Sequence, residues 1–145
     1  MIGPIDPIYL KWLLVIMNKS LRNLNIFNLC LAIFIILWGA WVRLSGSGAG
    51  CGDHWPLCNG EVVPLDASVK TLIEYIHRFT SGIFGITVLA SVVITRKILQ
   101  KSFWGKLFAY LTLFFTISEA LIGAVLVKKG LVVDNDSILR AWVIG

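Results

Sequence analysis

Three residues suited to chemistry lie close together in this sequence: Glu74, His77 and Arg78, at the start of an apolar run that reaches about Ile94. The spacings i, i+3 and i, i+4 put all three on one face of a helix. Ionisable side chains are costly in a membrane helix and survive there with internal partners, so the group points to a function. An imidazole can ligate haem iron or another metal, and a guanidinium suits a carboxylate such as a haem propionate or Glu74 itself. His77 is therefore the leading candidate for an iron ligand, with an interhelical hydrogen bond as the alternative.

Two cysteines and a histidine form a second group, in the glycine-rich stretch 46–60. Cys51 and Cys58 enclose a short loop, and an oxidising compartment would favour a disulfide between them. A redox-active thiol pair is one alternative. A metal site that includes His54 is another, although a fourth ligand is missing. The closely spaced glycines would let the backbone fold tightly against the helix ends.

The composition indicates a protein embedded in a lipid bilayer. Hydrophobic residues make up 57% of the 145 residues and charged residues 14%, with a mean hydropathy of +0.83. A soluble domain has about 25% charged residues. The net charge of +5 comes from basic residues that cluster at helix ends, which is typical of membrane topology, and we expect no nucleic-acid partner.

The long apolar runs predict an all-α membrane protein, an antiparallel bundle of transmembrane helices. Three full spans are expected at about Leu24–Val42, Leu72–Ile94 and Leu107–Val127, each near the roughly 20 residues that a helix needs to cross hydrocarbon. Residues 138–145 look like the first turns of a fourth helix, and the chain ends at Gly145, where that helix has barely begun. We therefore expect an amino-terminal fragment or a truncated reading frame.

Lysines and arginines set the expected orientation, because cytoplasmic connections carry an excess of them. The start of the chain and the connection between the second and third spans are both basic (Lys11, Lys19 and Arg22; Arg96, Lys97, Lys101 and Lys106). We predict a cytoplasmic segment 1–23, a membrane bundle 24–145 and an outer loop 43–70, in a multi-pass protein of the cell membrane. Lys128 and Lys129, at the predicted outer end of the third span, run against this orientation.

The order of these motifs resembles the amino-terminal half of the heme A synthase family, membrane enzymes of cytochrome oxidase assembly. The resemblance covers nearly everything from about Asn25 onward. It is carried by residues 39–48 (GAWVRLSGSG), the cysteine loop with residues 55–60 (WPLCNG), residues 74–78 (EYIHR) and residues 121–127 (LIGAVLV). The glutamate–histidine–arginine motif alone is weak, whereas the four segments in this order are specific.

The resemblance implies half of an eight-helix, pseudo-symmetric protein built as two similar four-helix bundles. In that family each bundle holds haem between a histidine of its second helix and one of its fourth. The enzyme oxidises a methyl substituent of heme O to the formyl group of heme A. His77 would then be an axial ligand of haem iron and Glu74 a catalytic carboxylate, while Arg78 would help to bind the haem. Cys51 and Cys58 match a loop cysteine pair of one branch of the family.

The same resemblance implies further cofactors and partners. The second axial ligand would lie beyond Gly145, and a heme b would be held by the missing second half. Heme O synthase and an electron donor would be partners, along with the lipid bilayer.

Two other functions stay open on the residues alone: a haem-binding membrane electron-transfer protein, and a quinone-linked thiol–disulfide oxidoreductase that uses Cys51 and Cys58. The latter leaves Glu74, His77 and Arg78 unexplained.

Overall fold

The computed structural model describes residues 7–100 and 102–132, and the side chains from residue 18 onward. Three helices follow one another in this part of the chain: α1 (Pro7–Leu44), α2 (Val69–Ile98) and α3 (Phe103–Lys128). An isolated β-bridge between Cys58 and Glu61 is the one piece of strand-like pairing among the described residues. The prediction of an all-α protein is confirmed, while the predicted start of a fourth helix lies outside the described residues.

All three helices are long and apolar enough to cross a bilayer, over Asn18–Leu44, Val69–Ile98 and Phe103–Lys128. Most of their large apolar side chains are exposed, as expected where lipid is the surrounding solvent. The protein is therefore a multi-pass membrane protein.

The helices are longer than the predicted spans, because backbone hydrogen bonding continues beyond the apolar core of each run. The first helix differs most, since it begins at Pro7, inside the segment predicted to precede the bundle. Proline fits the first position of a helix, where its missing N–H has no partner to lose. The second and third helices begin after serine N-caps, Ser68 and Ser102, whose hydroxyls accept the backbone N–H groups of Thr71 and Gly105.

The second helix packs against both of the others in the described part of the chain. Its contact with α1 includes hydrogen bonds between side chains and to the backbone. The buried Asn28 amide donates to the Ser91 hydroxyl at 2.9 Å and to the Thr87 carbonyl at 3.4 Å. Such interhelical bonds help membrane helices to associate where no hydrophobic driving force exists between them. They fix the rotation of α2, and therefore the direction in which its outermost turns present their side chains.

Candidate functional site

Glu74, His77 and Arg78 occupy the first turns of α2, where the loop from α1 folds back on the helix. The structure brings Glu74 and Arg78 into a direct ion pair, with 2.6 Å between the Arg78 Nη2 and the Glu74 Oε1. His77 lies beside this pair, and its ring packs against Gly39 of α1. The spacing predicts that all three lie on one helix face, and Glu74 is one of the two partners that the sequence suggests for Arg78.

Glu74 is a buried residue, 3% exposed as a whole, and its carboxylate uses both of its oxygens. Its Oε1 accepts the Arg78 Nε at 3.0 Å in addition to Nη2, and its Oε2 accepts the backbone N–H of Cys51 at 2.8 Å. A buried carboxylate without such partners would be strongly unfavourable. Glu74 therefore joins the helix, the arginine and the disulfide loop in one network.

The Arg78 guanidinium has its five N–H donors directed at five acceptor contacts within the chain. Two of these contacts go to Glu74, and the others go to the loop carbonyls of Gly52 at 3.3 Å, His54 at 3.1 Å and Leu57 at 2.6 Å. Five is the full donor capacity of arginine. A haem propionate would have to replace one of these acceptors, so the geometry favours Arg78 as the residue that ties the loop to α2.

The disulfide predicted between Cys51 and Cys58 is present, with 4.4 Å between the two Cα atoms. Both cysteines are buried, at 0% and 2% exposure. The loop closes through backbone bonds from Asn59 N–H to the Cys51 carbonyl and from Cys58 N–H to the Glu61 carbonyl. No cluster of metal-ligating side chains occurs among the residues that the structure describes, and the cysteine sulfurs are bonded to each other.

His54 does not join the Cys51–Cys58 pair as a ligand. Its side chain is 60% exposed and lies 3.4 Å from the Asp53 carboxylate. Its backbone carbonyl, in contrast, accepts from Arg78. The contribution of position 54 to the site is therefore made by its main chain.

The glycines of the loop allow the close approach to the helix end that their spacing predicts, most clearly at Gly50. A Cβ built there would lie 2.6 Å from the Lys70 carbonyl oxygen and 2.7 Å from the Thr71 nitrogen. Real Cβ atoms are not found at such distances from backbone atoms, so only glycine fits. This contact seats the loop on the first turn of α2, next to Cys51 and Glu74.

In the part of the chain that the structure describes, the Nδ1 of the His77 imidazole is buried and has no hydrogen-bond partner. Its backbone carbonyl accepts the hydroxyls of Ser81 at 2.7 Å and Thr80 at 3.1 Å. A buried polar atom without a partner is rare and calls for an explanation. The buried Nδ1 therefore marks His77 as a candidate binding residue of this site.

Two residues of α1 make contacts with this turn of α2 that the sequence did not predict. Gly39 touches the His77 ring, and the Trp38 indole N–H donates to the Ile73 carbonyl at 3.0 Å. Gly39 belongs to a segment that carries the family resemblance, and an interior glycine weakens a helix unless close packing needs it. Glu119 of α3, in contrast, is exposed on the surface of the described helices.

The chain is similar to a known protein family and to named proteins of several bacteria. Residues 22–141 match a family model described as a cytochrome oxidase assembly protein. A heme A synthase of Bacillus licheniformis is 40% identical over 114 residues, which are 79% of this chain and 37% of that protein. A heme A synthase of Bacillus cereus is 39% identical over 122 residues, which are 84% of this chain and 36% of that protein.

A third relative, a protoheme IX farnesyltransferase of Thermus thermophilus, is 48% identical over 111 residues, 77% of this chain and 18% of that protein. The chain thus spans little more than a third of the heme A synthases that it matches and less than a fifth of the farnesyltransferase. No solved structure matches it.

Proposed function

The chain belongs to the family of cytochrome oxidase assembly proteins, and we propose that it forms the haem-binding first half of a heme A synthase. The whole protein would oxidise a methyl substituent of heme O to the formyl group of heme A. Two similar proteins are named as heme A synthases, and a third is named for protoheme IX. Haem is common to these names, which supports a porphyrin as the ligand of the shared region.

The observation that carries the proposal is the state of His77. Its imidazole sits in the first half of a membrane helix and has a buried Nδ1 that no described residue pairs with. A histidine that served only to join helices would use its ring nitrogens in hydrogen bonds between them. The ion pair and the disulfide loop beside it give the ring a rigid surrounding, as a ligand-binding site requires.

Each residue of the site would have a separate task. Bound haem would supply the oxidation chemistry at its periphery, and His77 would hold the iron. Glu74 would act as the catalytic carboxylate, with the lone pair of Oε2 that Cys51 leaves free. Arg78 would keep the loop in place and balance the charge of Glu74, and its positive charge would favour a propionate nearby.

The wider architecture is part of the proposal. Eight helices in two antiparallel bundles would carry the second iron ligand on a fourth helix and a heme b in the second half. A Cβ at Gly48, which follows α1, would lie 3.1 Å from the Val132 side chain, which follows α3. The segments after α1 and α3 therefore meet, so the carboxyl ends of these two helices lie on the same side. This supports an antiparallel bundle in which α2 runs opposite to α1 and α3.

The orientation would put the amino terminus in the cytoplasm and the loop 43–70 outside. The disulfide in that loop supports this orientation, because disulfides persist in oxidising compartments. The basic residues before the first apolar core and between α2 and α3 favour the same orientation. Heme O synthase and an electron donor would be the partners that deliver the substrate and the electrons.

The two other functions can be weighed against the site. A thiol–disulfide oxidoreductase needs a cysteine that its partner can reach, whereas Cys51 and Cys58 are both buried. This burial favours a structural disulfide. A haem-binding electron-transfer protein would use His77 in the same way, so the chemistry of the bound pigment has to decide between it and a heme A synthase.

The test is a pigment analysis of the chain produced in a bacterial host that makes heme O and purified in mild detergent. We expect haem to accompany the wild-type chain and to be lost in His77→Ala, while the matched variant His54→Ala retains it. In the whole protein of which we propose this chain to be the first half, Glu74→Ala should keep more haem than His77→Ala but yield less heme A. A wild-type chain without haem, or a normal haem spectrum in His77→Ala, would contradict the proposal. A whole protein that binds haem in a host that makes heme O, and that never yields heme A, would favour the electron-transfer protein.

A further inference from the structure

The ring of His77 packs against α1 at Gly39, where that helix has no side chain. A Cβ built on Gly39 would lie 3.0 Å from the His77 Cε1, 3.4 Å from Nε2 and 3.7 Å from Nδ1. Three atoms of the imidazole therefore face the glycine, and the nearest is already at the limit of what a real Cβ tolerates. Any side chain at position 39 would have to move the ring.

The residue next to Gly39 holds the helical turn that carries the same histidine. The Trp38 indole N–H donates to the Ile73 carbonyl at 3.0 Å. Ile73 precedes His77 by four residues, so in an α-helix the same carbonyl is the acceptor of the His77 backbone N–H. Trp38 thus fixes the height of α1 against this turn, and the contact at Gly39 follows from that register.

In the described part of the chain, the buried Nδ1 of His77 has no hydrogen bond that would hold the ring. A hydrogen bond to the ring nitrogen that does not bind the metal usually orients a metal-binding histidine. Here packing has to take that role, and the atoms that could do so on α1 belong to Trp38 and Gly39.

We propose that Trp38 and Gly39 are positioning residues that set the place and tilt of the His77 imidazole for its ligand. The ring lies against Gly39, and the hydrogen bond from Trp38 to the Ile73 carbonyl holds Gly39 at the same height along the helices as the ring. The part of the inference that concerns the ligand rests on the proposed haem-binding function. The part that concerns the ring holds for the haem-free protein and can be tested there.

The first experiment observes the ring directly. The chain has two histidines, so a sample with 13C-labelled histidine Cε1 in detergent micelles gives two imidazole signals, and His54→Gln assigns them. Gly39→Ala should shift the His77 signal by more than its line width, since Cε1 is the atom nearest to the new methyl group. Gly123→Ala, where an added Cβ meets nothing within 4 Å, should leave it in place.

A second pair of variants covers the case in which Gly39→Ala fails to fold. Trp38→Phe keeps an aromatic ring but loses the N–H that Ile73 accepts, and it should shift the same signal. Trp41→Phe changes an exposed tryptophan of the same helix and should not. An unmoved His77 signal in folded Gly39→Ala, or in Trp38→Phe, would overturn the proposal.

The second experiment adds ferric haem B as a probe to the haem-free chain and follows the visible spectrum. Gly39→Ala and Trp38→Phe should raise the haem concentration needed for half-saturation, or change the position of the main absorption band, while Trp41→Phe and Gly123→Ala match the wild type. If the wild-type chain binds no haem, the proposed function fails, and the imidazole signals still decide whether these residues position the ring. If haem binds and all variants match the wild type, the positioning role is refuted and haem binding stands.

Discussion

Replacing Glu74 by glutamine should loosen the disulfide loop, although the two side chains have the same shape. Both oxygens of Glu74 now accept from N–H donors, Oε1 from Arg78 and Oε2 from Cys51. A glutamine amide has one oxygen and one NH2 group, so whichever way it is turned the NH2 group meets a donor. The variant therefore loses a hydrogen bond as well as the charge that balances Arg78.

The size of the effect follows from the burial of the partners. The Arg78 side chain is 10% exposed and that of Glu74 is 4% exposed, so the pair belongs with buried salt bridges, whose disruption costs about 3–5 kcal/mol. A buried N–H left without an acceptor, as at Cys51, costs about 1–3 kcal/mol. The two costs share one side chain and are not additive, so about 3 kcal/mol is a conservative figure. Because about 1.4 kcal/mol is a factor of ten, the loop should open about 100-fold more often.

The rate at which dithiothreitol reduces the disulfide measures this opening, since Cys51 and Cys58 are buried. After quenching and denaturation, a maleimide reagent that shifts the band on a gel marks one thiol in the oxidised chain, that of Cys30, and three in the reduced chain. Glu61→Gln is the matched control, because Glu61 is an exposed residue of the same loop. A reduction rate for Glu74→Gln within about threefold of the wild type would refute the assigned role of the carboxylate.

Three further predictions use the same preparation. His77→Ala should lose haem while the disulfide is reduced at the wild-type rate, because the ring makes no hydrogen bond to the loop; pigment extraction beside the gel assay checks both. Gly50→Ala should destabilise the loop by about 1–3 kcal/mol, the usual cost of overpacking, since its Cβ would meet backbone at 2.6 Å; a clear rise in reduction rate is the expected sign. Ser91→Ala should cost only about 0.6 kcal/mol, typical of an interhelical hydrogen bond in a membrane, because Asn28 keeps its second acceptor. Thermal unfolding in detergent measures it against Ser118→Ala, whose hydroxyl bonds within its own helix.

The three helices could be predicted because the length of an apolar run is set by the thickness of the bilayer. Their ends could not, because a helix continues as long as its backbone bonds are satisfied, whether or not the residues are apolar. The clearest case is α1, which begins at Pro7 although the apolar core of the span was placed from Leu24. Hydropathy indicates which residues lie in lipid. The ends of a helix also depend on capping residues and on a proline that fits its first position.

The site was predictable where its partners are close in sequence. Glu74 and Arg78 are four residues apart, and Cys51 and Cys58 seven, so helix geometry and loop length brought each pair together. The acceptors of Arg78 are backbone carbonyls of a loop, and the carbonyls of a loop carry no sequence signal. The contact between Gly39 and His77 depends on how far α1 is shifted along α2, which no spacing within one helix encodes.

The hydrogen bonds of Arg78 also bear on how the protein is made. The carbonyls of Gly52, His54 and Leu57 leave the ribosome before the arginine that holds them, which follows by 21 to 26 residues. These three hydrogen bonds therefore cannot form until Arg78, on the next helix, has been synthesised and has reached the loop. In the proposed orientation, with the loop 43–70 outside, Cys51 and Cys58 would be open to oxidising enzymes and to other thiols during that interval. The timing of synthesis would then bear on which disulfide is formed.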